Sequence, residues 1–185
     1  MSKKIALLSA AALSALALTA TVVAPVRAAE EKTVMVGGAA MFPSKNIIQN
    51  AVNSKDHTTL VAAVKAAGLV STLEGKGPFT VFAPTNAAFG KLPSGTVDNL
   101  VKPENKATLT KILTYHVVPG KLEASDLTDG KKLKTVEGEE LTVKKMDGKT
   151  WIIDAKGDSS MVTISNVNQS NGVIHVVDTV LMPAS

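Results

Sequence analysis

From Asn46 onward the apolar residues recur at helical spacing, and beyond Gly120 they alternate or run as strands do. Ile47, Ile48, Ala51 and Val52 follow Asn46, a side chain suited to cap a short helix. Leu60, Val61, Val64 and Ala67 fall at i, i+1, i+4 and i+7, which predicts a helix beginning near Asp56 or Thr58 and stopping at Gly68. Leu69, Val70 and Leu73 extend the pattern by a turn or two before the breaker Gly75-Lys76-Gly77-Pro78. Phe79 to Ala83 reads as a short buried strand ended by Pro84, and Thr85 is placed to cap a brief helix that finishes at Phe89-Gly90. Pro103-Glu104 opens a stronger helix carrying Leu109, Ile112 and Leu113, with His116 next on that stripe. Val117-Val118-Pro119-Gly120 ends it and turns the chain.

Strand signals then take over. Leu141-Thr142-Val143 alternates, Asp147-Gly148 is a hairpin-turn dipeptide, and Trp151-Ile152-Ile153 answers on its far side. Met161 to Ile164 and the run from Val173 to Met182 complete the set; the last is apolar on both faces and belongs in the interior of a sheet. Helices first and strands later predict an α+β architecture around one core. Residues 29–44 carry Gly37, Gly38 and Pro43 without periodicity and read as a leader into the domain.

Composition narrows the chemistry. The chain has no cysteine, which excludes a disulfide framework, a thiol nucleophile and cysteine-ligated metal. The few aromatic residues are too scattered to stack bases or sugars. The formal charge of +4 comes mainly from the N-terminus, where Lys3 and Lys4 precede an uncharged Ala- and Leu-rich run from Ile5 to Val26. Val26-Arg27-Ala28 then supplies a signal peptidase pattern, so residues 1–28 are expected to be a signal peptide cleaved after Ala28. Retention of residues 5–26 as an anchor is the alternative. Cleavage leaves 17 basic against 16 acidic residues, and the electrostatic case for a nucleic-acid partner disappears with the segment.

Three segments together are specific. Phe79-Thr80-Val81-Phe82-Ala83-Pro84-Thr85-Asn86-Ala87-Ala88-Phe89 resembles the first hallmark motif of the fasciclin domain. Asn171-Gly172-Val173-Ile174-His175-Val176-Val177-Asp178-Thr179-Val180-Leu181-Met182-Pro183 is similar to its second, and Tyr115-His116 between them matches the family's Tyr-His motif. The resemblance spans a domain over 45–183. It implies the fasciclin-like α+β fold, with β-sheets forming a wedge or sandwich and several short helices packed on one side. The chain departs from the family at Ser165-Asn166-Val167-Asn168-Gln169-Ser170, where an Asp-Ile pair is credited with integrin recognition in animal relatives.

Within these motifs Thr85, His175 and Asp178 are expected to be structural. Period-two alternation sends His175 and Asp178 to opposite faces of one strand, so each is read as a polar group satisfied by neighbouring backbone. Tyr115 and His116 carry two readings. As structural residues they tie a helix end to the adjoining strand, because a buried Tyr hydroxyl needs a partner; as the Tyr-His motif, the resemblance implies a binding contact. His57 follows Asp56 at a helix start and reads as an exposed capping-region residue.

No constellation for catalysis emerges. There is no Gly-x-Ser-x-Gly elbow and no His-Glu-x-x-His pair. Gly37-Gly38 lacks the Lys of a phosphate loop, and the Asp residues lack the spacing of a calcium loop. The expectation is a non-enzymatic protein without cofactor or metal. By the resemblance it is a secreted interaction module, extracellular, at the cell surface or periplasmic, binding an extracellular protein, matrix or surface polysaccharide. It is expected to act as a monomer, with no membrane insertion after signal cleavage. The alternative is a periplasmic carrier or sensor that holds a small ligand in a helix–sheet cleft, for which a deep apolar pocket with a few inward polar groups would be the sign.

Overall fold

The computed structural model describes residues 31–184; the expected signal peptide, 1–28, lies outside them. The described chain begins with a hairpin of β1 (Val34–Val36) and β2 (Ala39–Met41) around Gly37-Gly38. This is a correction to the leader expected over 29–44, since Val36 and Met41 are buried in the core. Three-residue strands are too short to show alternation. Gly37 is required there, because a Cβ on it would stand 2.4 Å from Ser54 Oγ and 2.7 Å from the Asp56 backbone N.

Asn46 caps α1 (Ile47–Ala51) through a reciprocal box: its side chain accepts the Gln49 N–H at 2.8 Å, and Gln49 Oε1 accepts the Asn46 N–H at 3.0 Å. A 3-10 turn over Lys55–His57 leads into α2 (Thr58–Ala67), which Gly68 ends in the left-handed conformation. Next come α3 (Val70–Glu74), β3 (Phe79–Pro84) and α4 (Asn86–Gly90); Thr85 Oγ1 caps α4 by accepting the Ala88 N–H at 3.2 Å. After α5 (Thr96–Leu100), Pro103 opens a 3-10 turn rather than the helix itself, and α6 (Lys106–Tyr115) follows. The expected turn at Val117 is a strand instead, β4 (Val117–Pro119), antiparallel to β3.

The remaining strands are β5 (Lys132–Lys134), β6 (Glu140–Met146), β7 (Lys149–Ile153), β8 (Ser159–Gln169) and β9 (Gly172–Val177). Asp147 and Gly148, both at positive φ, turn β6 into β7. The seven-stranded sheet has the order β4-β3-β9-β8-β7-β6-β5, with β3 and β9 parallel in its interior. The final strand stops at Val177 rather than reaching Met182, although Val180 and Leu181 stay buried beyond it.

β8 joins the two halves of the sheet. Its first residues pair with β7, the rest with β9, and register shifts between Val162, Ile164 and Val167 bend it. The halves close over one core built from Phe82, Val118 and Val177 on one side and Leu133, Leu141 and Ile152 on the other. The opposite face of β3 and β9, through Val81, Ala83, Ile174 and Val176, meets α1, α2 and α6 in a second core. This is the expected α+β wedge with helices on one side. Among the described residues no helix is long and apolar enough to cross a membrane.

Candidate functional site

The end of α6 sends its last two side chains into different cores. Tyr115 turns into the core between the sheet halves and is fully buried. Its hydroxyl accepts the Ala155 N–H at 2.8 Å and donates to the Glu140 carbonyl at 3.3 Å. Burial in this apolar setting pushes the phenol up to about 12. His116, the C-cap of α6, is 2% exposed. Its Nε2 accepts the Leu181 N–H at 2.9 Å, so the proton sits on Nδ1, which donates to the Ile112 carbonyl at 2.8 Å. Burial pushes this imidazole down to about 4. The pair therefore ties α6 to β6, to the β7–β8 turn and to the C-terminal segment, not to the strand that follows the helix.

His175 is buried on β9, stacked on Phe82 with ring centroids 5.7 Å apart. Its Nε2 lies 2.8 Å from the Leu122 carbonyl, and burial lowers its pKa. Asp178 lies one residue beyond β9 and is only partly buried. One carboxylate oxygen accepts the Met161 N–H at 2.9 Å and the Thr179 hydroxyl at 3.0 Å; the other faces Lys91 Nζ at 3.5 Å. The structure thus does not bring His175 and Asp178 together, and neither joins Tyr115 and His116 in a shared polar cluster. Among the described residues no group of three His, Asp or Glu side chains converges as a metal site.

Sequence reasoning missed two features. Asn171, the first residue of the second hallmark segment, accepts the Ile47 N–H at 3.1 Å and donates to the carbonyls of Leu73 at 2.7 Å and Gly75 at 2.9 Å. It fastens the start of α1 and the end of α3 to β9. The second is His57, which is 3% exposed rather than exposed. Its ring hydrogen-bonds Ser54 Oγ through Nδ1 at 2.8 Å and borders an apolar cavity between the helices and the sheet. The signal was present: His57 stands three residues before Leu60 and so extends the buried stripe of α2 by one turn.

The sequence model of the fasciclin domain matches residues 55–183. Protein sll1483 of Synechocystis is 50% identical over 153 residues, covering 83% of this chain and 82% of its own length. The immunogenic protein MPB70 of Mycobacterium bovis is 38% identical over 138 residues, covering 72% of this chain and 66% of that protein. The cell surface glycolipoprotein MPB83 of the same organism is 38% identical over 157 residues, 80% of this chain and 64% of its own. Among solved structures, the FAS1 domain pair from the insect cell adhesion molecule fasciclin I superposes with a TM-score of 0.68 at 20% identity, over 76% of this chain and 52% of that one.

Proposed function

The chain belongs to the fasciclin domain family, and on that premise we propose that it is an exported, non-catalytic interaction module binding an extracellular protein, matrix component or surface polysaccharide. The family is one of generally non-enzymatic, adhesion-type modules, and the relatives include a protein named for the cell surface. One observation carries the reading further. Tyr115 and His116 are turned inward and spend their polar atoms on backbone partners, so recognition falls to the outer surface.

The outer face of the sheet offers such a surface. Lys144, Trp151 and Met161 are cross-strand partners on β6, β7 and β8, and the inward alternates Leu141, Val143 and Ile152 are fully buried. Trp151, the single Trp of the chain, is only half-buried there, beside an exposed cation. A partly exposed Trp beside a Met has the composition enriched at interface cores, with Lys144 placed as part of a polar rim. The module acts as a monomer and presents this face to its partner.

A photo-cross-linking residue placed at Lys144, with a second at Lys65 on α2 as control, tests the surface in native cells. Adducts of an envelope protein or polysaccharide are expected from position 144. Adducts from position 65 alone would move the surface to the helical side, and none from either would sink the interaction reading. Export is checked by mass spectrometry of the native N-terminus, expected at or near Ala29; intact Met1 in a membrane fraction would favour an anchor.

A further inference from the structure

A cavity of about 40 Å³ lies between the helices and the inner face of β3 and β9. Its wall is almost wholly aliphatic, built from residues such as Ile48, Val64, Leu73, Val81 and Ile174. The polar side chains on it are Ser54, His57 and His116. His116 has both ring nitrogens engaged, by Ile112 and Leu181. Ser54 Oγ is engaged by Nδ1 of His57. That leaves Nε2 of His57, buried and without a hydrogen-bond partner among the described residues. The Ala83 backbone is close enough to favour a protonated ring, yet Nε2 reaches it with no bond of normal geometry.

Two unfavourable features therefore coincide. An apolar wall lacks the close neighbours that a packed core supplies, and a buried nitrogen lacks the partner that such groups almost always have. A single water answers only the second feature, because it can meet Nε2 of His57 but leaves the aliphatic wall without close contacts. A charged ligand is excluded, since no opposite charge lines the wall to repay its desolvation. In the tautomer in which Ser54 Oγ donates to Nδ1, the neutral ring carries its proton on Nε2 and presents a donor.

We propose that this cavity is a binding site for a small uncharged molecule with an apolar body and one hydrogen-bond acceptor. The body packs on Ile48, Leu73 and Ile174, and the acceptor takes the Nε2 proton of His57. At roughly 10–15 Å³ per water-sized group the space holds a ligand of about three or four heavy atoms without expansion, which selects short-chain carbonyl compounds over rings and lipids. Ala51, Val61 and Leu69 on the wall are half-buried, so the cavity approaches the surface between α1, α2 and α3. The site lies in the helical core and is independent of the outer sheet face.

Acetone, with isobutene as the control of the same shape lacking a strong acceptor, is titrated into the full chain and followed by methyl and imidazole NMR. Saturable shifts are expected at the methyls of Ile48, Leu73 and Ile174, and acetone alone is expected to move the Nε2 resonance of His57. In His57→Phe the affinity for acetone relative to isobutene should fall by about five-fold, the worth of one neutral hydrogen bond. Ile48→Phe should abolish binding of both while the chain stays folded. Absence of saturable shifts at the cavity methyls of the wild type overturns the site. An Nε2 resonance that acetone leaves unmoved overturns the role of His57, and that measurement needs no variant.

Discussion

The imidazole of His116 accepts the backbone N–H of Leu181 at 2.9 Å, so one side chain at the end of α6 holds a segment 65 residues further along the chain. The bond exists only while Nε2 is unprotonated. Stability is therefore coupled to pH with a definite sign. The folded pKa, about 4, lies below the ordinary 6.5, so the contribution is complete above the ordinary value. As pH falls from 6.5 toward 4, the unfolded chain binds a proton that the folded chain refuses, and about 3 kcal/mol is lost across that window. Burial lowers His57 and His175 in the same direction. Urea midpoints are expected to be flat from pH 8 to 7 and to drop below 6.5, with a shallower drop in His116→Gln. An equal drop in that variant would assign the effect to other groups.

Tyr115→Phe separates a structural hydroxyl from a contact. The ring stays, but the Ala155 N–H loses its acceptor and the Glu140 carbonyl its donor. A loss of about 1–3 kcal/mol is expected, with partner binding reduced only in proportion to unfolding. A wild-type melt with abolished binding would show that the hydroxyl reaches a partner.

The first hallmark segment and the β6–β7 turn were legible because each is a local device. Phe79 to Ala83 alternates between two cores, Thr85 is a recognisable cap, and Asp147-Gly148 has the residues its turn demands. What escaped depends on distant partners. Val36 and Met41 gain their meaning only from helices that cover them, and the Val117 strand only from β3 beside it. The cavity was foreseeable as a class of feature, not in position, because its wall draws on nearly every element of the helical half. His57 could have been placed from the stripe, but the adjacent Asp56 at a helix start argued for solvent.

Asn171 is the clearest case of a residue whose role needs the tertiary fold. Asn171→Ala strips three bonds that reach α1 and α3, and is expected to cost at least about 2 kcal/mol. Asn171→Asp should be no milder. It keeps an acceptor for Ile47 but turns a carboxylate toward the Leu73 and Gly75 carbonyls. Hydrogen exchange should show protection lost first in α1 and α3. Full protection there in the Ala variant would show that packing alone holds the two helices.

Gly172 follows Asn171, and its requirement is steric. A Cβ built on it stands 2.0 Å from the Phe79 carbonyl oxygen and 2.9 Å from the Phe79 N, both backbone atoms of the strand it pairs with. Neither atom can rotate aside, so Gly172→Ala must push β9 from β3 at the start of their parallel ladder. A loss above about 3 kcal/mol is expected, in the range reserved for core overpacking. Gly90 is the control, because a Cβ there meets no atom within 4 Å and the residue is helical, at the end of α4. Gly90→Ala is expected to be neutral or to stabilise by up to about 1 kcal/mol, since Ala restricts the unfolded chain and favours helix. Equal thermal melts for the two variants would mean that β3 and β9 can separate without loss, and the tight parallel contact would then not be what fixes the sheet.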